Sequence, residues 1–65
     1  MASSREILRV LERHGFIIRS QNGSHVKLQK QGKQVIVPHP RKDMPIGTYG
    51  SIIKQSGLTR QDFES

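Results

Sequence analysis

Three kinds of apolar pattern divide the chain. Ile7, Leu8 and Leu11 recur at helical spacing, and Val10 widens the stripe. Ser3-x-x-Glu6 stands just ahead of them with capping-box spacing. The Ser3 hydroxyl can accept from the Glu6 amide while the Glu6 carboxylate accepts from the Ser3 amide. Gly15 is placed to stop the helix in a left-handed conformation, with Arg13 and His14 near the negative end of its dipole. The pattern predicts a helix over 4–14.

The periodicity then changes from 3.6 to 2. Phe16-Ile17-Ile18-Arg19-Ser20 is rich in β-branched and aromatic residues, and Asn22-Gly23 is a strong two-residue hairpin signal. From Ser24 to Gln29 the alternation is clean, with Val26 and Leu28 on one face and His25, Lys27 and Gln29 on the other. Lys30-Gln31-Gly32 reads as a second turn. Lys33-Gln34-Val35-Ile36-Val37 reads as a third strand, ended by Pro38.

Prolines at 38, 40 and 45 keep the next stretch irregular, because each fixes φ and removes a donor. A second helix is predicted from about Gly47-Thr48. Tyr49, Ile52, Ile53 and Ser56 recur at helical spacing, and Gly57 closes it. Gly50 inside it costs roughly 1 kcal/mol relative to Ala, which suggests a close approach there. Thr59-x-x-Asp62 is a weaker capping signal for a terminal turn carrying Phe63.

The order is α-β-β-β-α in one domain spanning residues 1–65. Two amphipathic helices and a sheet apolar on one side predict an α+β, two-layer sandwich. Its three-stranded antiparallel sheet carries both helices on the Val26 and Leu28 face. His25 and Lys27 then point away from the core.

Charge sharpens this picture. Eleven Lys and Arg against five Asp and Glu give a net +6. From Arg13 to Lys42 there are seven basic residues and no acid, and all three histidines lie in that window. Such a distribution suits a polyanionic partner. There are no cysteines, which excludes disulfides and thiolate metal sites. No apolar run approaches the roughly 18 residues of a membrane span, and no signal-peptide pattern opens the chain. The expectation is a soluble, cytoplasmic protein without a membrane partner.

The sequence has no Ser/His/Asp set, no Gly-rich phosphate loop and no ligand cluster at metal spacing, so neither a metal nor another cofactor is expected. RNA cleavage needs few protein groups, because the substrate's own 2′-hydroxyl is the nucleophile. A proton acceptor, a proton donor and cations around the phosphorus suffice. Histidine fits the first two roles near neutrality. His25 is the best placed, on the open face beside Lys27, with Gly23 and Ser24 able to offer backbone amides to a phosphate. His39, between two prolines and beside Arg41 and Lys42, is a candidate second acid–base group. Lys30 is a further candidate phosphate contact. His14 reads as a helix cap, and Phe16, Tyr49 and Phe63 read as core.

The opening helix ending in Gly15-Phe16, then Gly23-Ser24-His25, Val35-x-Val37-Pro38 and Pro45-x-Gly47-Thr48, follow in order and lead into Ser51-Ile52-Ile53-Lys54-Gln55-x-Gly57-Leu58. This series resembles the HicA family, toxins of bacterial and archaeal toxin–antitoxin pairs. The likeness runs from about residue 4 to residue 63. It implies a fold similar to a double-stranded-RNA-binding domain and a metal-independent endoribonuclease that cleaves mRNA. It also implies a HicB-type antitoxin covering the sheet face, and a catalytic role for the histidine of the Gly-Ser-His motif, here His25. The alternative is a non-catalytic double-stranded-RNA-binding module. Such domains carry a lysine cluster at the start of the second helix, where this chain has Ile46-Gly47-Thr48-Tyr49-Gly50. A DNA-contacting or protein-binding module is a more distant third reading.

Overall fold

The computed structural model describes residues 2–64. Its elements are α1 (Ser4–Arg13), β1 (Ile17–Asn22), β2 (His25–Lys30), β3 (Lys33–Pro38), α2 (Ile46–Ser56) and the short α3 (Arg60–Glu64). The strands form an antiparallel sheet in the order β1-β2-β3. Val26, Leu28, Val35 and Val37 bury one face of that sheet against Ile7 and Leu11 of α1 and Ile52 of α2. The fold is therefore α+β, with both long helices on one face and the other face open, compatible with a double-stranded-RNA-binding domain.

Both ends of α1 follow from side-chain and glycine chemistry. The Ser3 Oγ accepts from Glu6 N, and the Glu6 carboxylate accepts from Ser3 N at 2.9 Å, completing the capping box. At the far end Gly15 takes a φ of +91°, and its N–H donates to the Glu12 carbonyl. The Phe16 N–H donates to the Leu11 carbonyl, which makes this a Schellman closure. Phe16 thus belongs to the helix stop rather than to the first strand, and its ring is buried in the core.

The first hairpin turn lies one residue later than the Asn-Gly signal suggests. Asn22 and His25 are cross-strand partners, so the two loop residues are Gly23 and Ser24. Only Gly23 has a positive φ (+55°), the requirement of a type II′ rather than a type I′ turn. In the second turn Gln31 and Gly32 both have positive φ, as type I′ demands, and Lys30 pairs with Lys33.

Between Ile18 and Ser20 a β-bulge leaves Arg19 without a partner across β1 and β2. Without it Arg19 would stand opposite Lys27; with it Ser20 does, and a like-charge pair is avoided. The third strand runs through Pro38, which pairs with His25. Proline fits there because β3 is an edge strand.

The second helix begins at Ile46 after Pro45, with no side-chain cap, and ends at Gly57 with φ +73°. A Cβ placed on Gly50 would meet nothing within 4 Å, so the glycine there answers to no close approach. The α3 turn is capped by Thr59 and Asp62, and Phe63 meets Tyr49 edge-on at 5.9 Å. Burial is the main cause that raises the Tyr49 hydroxyl above its ordinary pKa.

Candidate functional site

Cross-strand pairing fixes the membership of the open face. Asn22, His25 and Pro38 form one row, Ser20, Lys27 and Ile36 the next, and Ile17, Gln29 and Gln34 the third. No carboxylate occurs anywhere in β1, β2 or β3. His25 is exposed at the first position of β2, directly after the Gly23–Ser24 turn. Lys27 follows two residues later on the same face, half-buried between its neighbours.

The turn beside His25 is tied down. The His39 N–H donates to the Ser24 carbonyl at 2.7 Å, linking the segment after β3 to the hairpin. That segment is in turn bound to α1 through Ser4. Ser4 N donates to the Arg41 carbonyl at 2.8 Å, and Arg41 N donates to Ser4 Oγ at 2.9 Å. Ser4 Oγ also shares a hydrogen bond of 2.7 Å with His39 Nδ1. The buried Ser4 therefore connects the first turn of α1 to the backbone that holds Ser24, one residue from His25.

The candidate residues divide between the two faces and two ends of the sheet. Gly23, Ser24 and His25 gather at one end, and Arg41 and Lys42 follow in the exposed loop after β3 at that same end. Lys27 joins them on the open face. His39 does not: its ring turns to the helix side, where Ser4 holds Nδ1. Lys30 is separated as well. It ends β2 on the core side, five residues or about 17 Å along the strand from His25. Its ammonium donates to the His14 carbonyl at the end of α1 and lies 5.9 Å from the Phe16 ring centroid.

His14 is the C-cap of α1, with Nδ1 2.9 Å from the Val10 carbonyl. Sequence reading passes over Asn22 and Ser4. Asn22 looked like a turn residue, yet it stands beside His25 on the open face. Nothing local distinguishes Ser4 from its neighbour Ser3, because its burial depends on a loop 37 residues away.

The site offers one exposed imidazole, cations on its face and at its end of the sheet, and backbone amides in an anchored turn. Such an arrangement can move a proton beside a bound anion. Among the described residues no group of three or more His, Asp or Glu is placed to hold a metal ion, and no helix is long and apolar enough to cross a membrane.

No curated protein matches the chain. Among solved structures it is similar to a chain of a toxin–antitoxin complex from Streptococcus pneumoniae. The two are 34% identical, with 86% of this chain and 97% of that one covered and a TM-score of 0.74. The family model described as the HicA toxin of bacterial toxin–antitoxin systems matches residues 4–58, a span that includes the capped first helix, the His25 turn and the whole of α2. By that match the chain belongs to the HicA toxin family.

Proposed function

We propose that this toxin is a metal-independent endoribonuclease that cleaves mRNA, with His25 as its general acid–base group. The observation that carries the reading is the position of His25: exposed, on a sheet face without carboxylates, beside a turn anchored to β3 and α1. An RNA strand laid on this face brings its own nucleophile. The 2′-oxygen attacks the adjacent phosphorus and the bond to the 5′-oxygen breaks; the imidazole exchanges a proton with one of those two oxygens and solvent water with the other. Lys27 on the same face neutralises charge growing on the phosphoryl oxygens. Gly23, Ser24, Arg41 and Lys42 hold the flanking backbone.

His39 is not assigned to the second proton transfer, because Ser4 commits its Nδ1 on the opposite side of the sheet. A HicB-type antitoxin is proposed as the protein partner, covering the open face and His25. The same basic surface that suits RNA suits an acidic protein segment. The similar chain from Streptococcus pneumoniae is itself part of a toxin–antitoxin complex.

The test is His25→Ala. The side chain is exposed, so the variant should melt with the parent, while RNA cleavage falls by roughly 10²–10⁴-fold and growth arrest on expression is lost. A folded His25→Ala protein that cuts RNA at the parental rate removes the catalytic assignment. Tight binding of a duplex of roughly 16 base pairs by a parent chain that cuts no RNA identifies the non-catalytic double-stranded-RNA binder instead.

A further inference from the structure

On the helix side of the sheet, at the His25 end, Ser3, Ser4, Arg5, His39, Arg41 and Lys42 line a cleft with Pro40. Three features make it unusual. First, Arg5, Arg41 and Lys42 are gathered there with no carboxylate in the lining. None of the three forms an ion pair among the described residues. Of the two acids that adjoin these residues in sequence, Glu6 has its carboxylate engaged with the Ser3 amide and hydroxyl, and Asp43 does not line the cleft.

Second, Arg5 occupies the first turn of α1, where the helix dipole disfavours a cation. Folding alone gives no reason to gather three positive groups at the positive end of a helix. A bound anion supplies one.

Third, the polar groups of the cleft are oriented from behind. Ser4 is buried, and its Oγ accepts the Arg41 N–H and shares a hydrogen bond with His39 Nδ1. That bond holds the His39 ring and leaves Nε2 as the nitrogen open to a ligand. The same residue donates its backbone N–H to Ser24. The cleft therefore has a fixed position relative to the His25 turn.

We infer that this cleft is a phosphate subsite for the RNA strand cut at His25, occupied by a backbone phosphate a few nucleotides from the scissile one. The strand passes around the end of the sheet, over the Gly23–Ser24 turn, from the open face to the helix side. Arg5 and His39 are its new contacts, beside Arg41 and Lys42. His39 acts there as a donor that positions RNA, not as a group that transfers a proton in the reaction. The inference rests on the RNA-cleaving reading for the identity of its ligand.

The experiment uses uncleavable 2′-O-methyl oligonucleotides, one of two nucleotides and one of six, bound to the full chain and to Arg5→Gln. Lys54→Gln, which removes an exposed cation on α2, controls for net charge. Arg5→Gln should weaken hexamer binding about fivefold and reduce its salt slope by about 0.7, the value of one single-strand phosphate contact. Dimer affinity should change less than twofold, and Lys54→Gln should leave both affinities near parental values.

Equal losses for dimer and hexamer, an Arg5→Gln loss no larger than that of Lys54→Gln, or unchanged hexamer binding would each overturn the subsite. So would a parent chain that binds neither oligonucleotide. Unchanged RNA affinity with weakened antitoxin binding would mark the cleft as a protein contact instead. A parent chain that binds the hexamer through Arg5 but cuts no RNA would end the nuclease reading and leave the subsite standing.

Discussion

Lys30 and Lys33 face each other across β2 and β3, and each reaches the end of a different helix. The Lys30 ammonium donates to the His14 carbonyl at the C-terminus of α1. The Lys33 Nζ lies 2.9 Å from where a Cβ on Gly57, the C-cap of α2, would stand. Two like charges side by side would repel; here each is drawn to the negative end of its own helix dipole. The tight Gln31–Gly32 turn places them there. Lys30 thus ties the far end of the sheet to α1, and Lys33 lies against the end of α2.

The first prediction concerns Lys30. Lys30→Ala removes a charged hydrogen bond to a helix end together with the contact on Phe16. It should cost about 1 kcal/mol, read as a lower midpoint in urea unfolding. Lys33→Ala should cost less, because its side chain is exposed. An unchanged midpoint for Lys30→Ala would mean that the α1 terminus is satisfied without it.

The capping boxes predict a pH dependence. Hydrogen bonds from the Ser3 backbone and side chain hold Glu6 below its usual carboxylate range, and Thr59 does the same for Asp62. Both groups are therefore more acidic in the folded chain than in the unfolded one. Their contribution is complete above the unfolded pKa and is lost as pH falls through the lowered folded values. The melting temperature should accordingly fall below about pH 4. Glu6→Gln and Asp62→Asn should each make that decline shallower, while a decline identical to the parent's would remove the caps as its source.

Gly50→Ala should stabilise the protein by about 0.4–1 kcal/mol. The position is inside α2, a Cβ there meets nothing within 4 Å, and its φ is not positive. Thermal or urea unfolding measures the gain. A loss of stability would show that α2 needs the glycine for a reason other than space.

Ser4→Ala tests the link between α1 and the His25 end of the sheet. The substitution removes the acceptor for Arg41 N and the partner of His39 Nδ1. A cost of about 1–3 kcal/mol is expected, with altered NMR signals for the His39 ring and the Gly23–Ser24 amides. Unchanged signals at Ser24 would show that the anchor at His39 N holds without Ser4.

Local patterns were legible wherever their cause is local. The Ser3–Glu6 box, the Gly15 stop, the alternation of Val26 and Leu28 against His25 and Lys27, and the Gly57 cap all follow from spacing within a few residues. What was hidden depends on pairing between distant segments. The bulge at Arg19 decides which residue stands opposite Lys27 on β2, a register that no local spacing sets. Pro38 extends a strand because that strand is an edge. Lys30 looks like any other surface lysine until β2 brings it to the end of α1.

The site divided along the same line. Strand alternation alone gives the exposure of His25 and its company with Lys27. The separation of His39 from that face rests on Ser4, 35 residues earlier in the chain. Arg5 was unreadable for the same reason, since only the folded loop brings it beside Arg41 and Lys42.

The bulged first strand has one more consequence. Every residue of β1 is exposed, and the helices reach across β3 without covering it. On its outer edge β3 is further held by Gln55 of α2, whose side chain accepts the Ile36 N–H. His25 therefore sits between a firm neighbour and a soft one. Segments with few buried contacts open first in native-state hydrogen exchange, so the β1 amides should exchange well ahead of those of β2 and β3. Whatever movement the open face makes will therefore come from the β1 side.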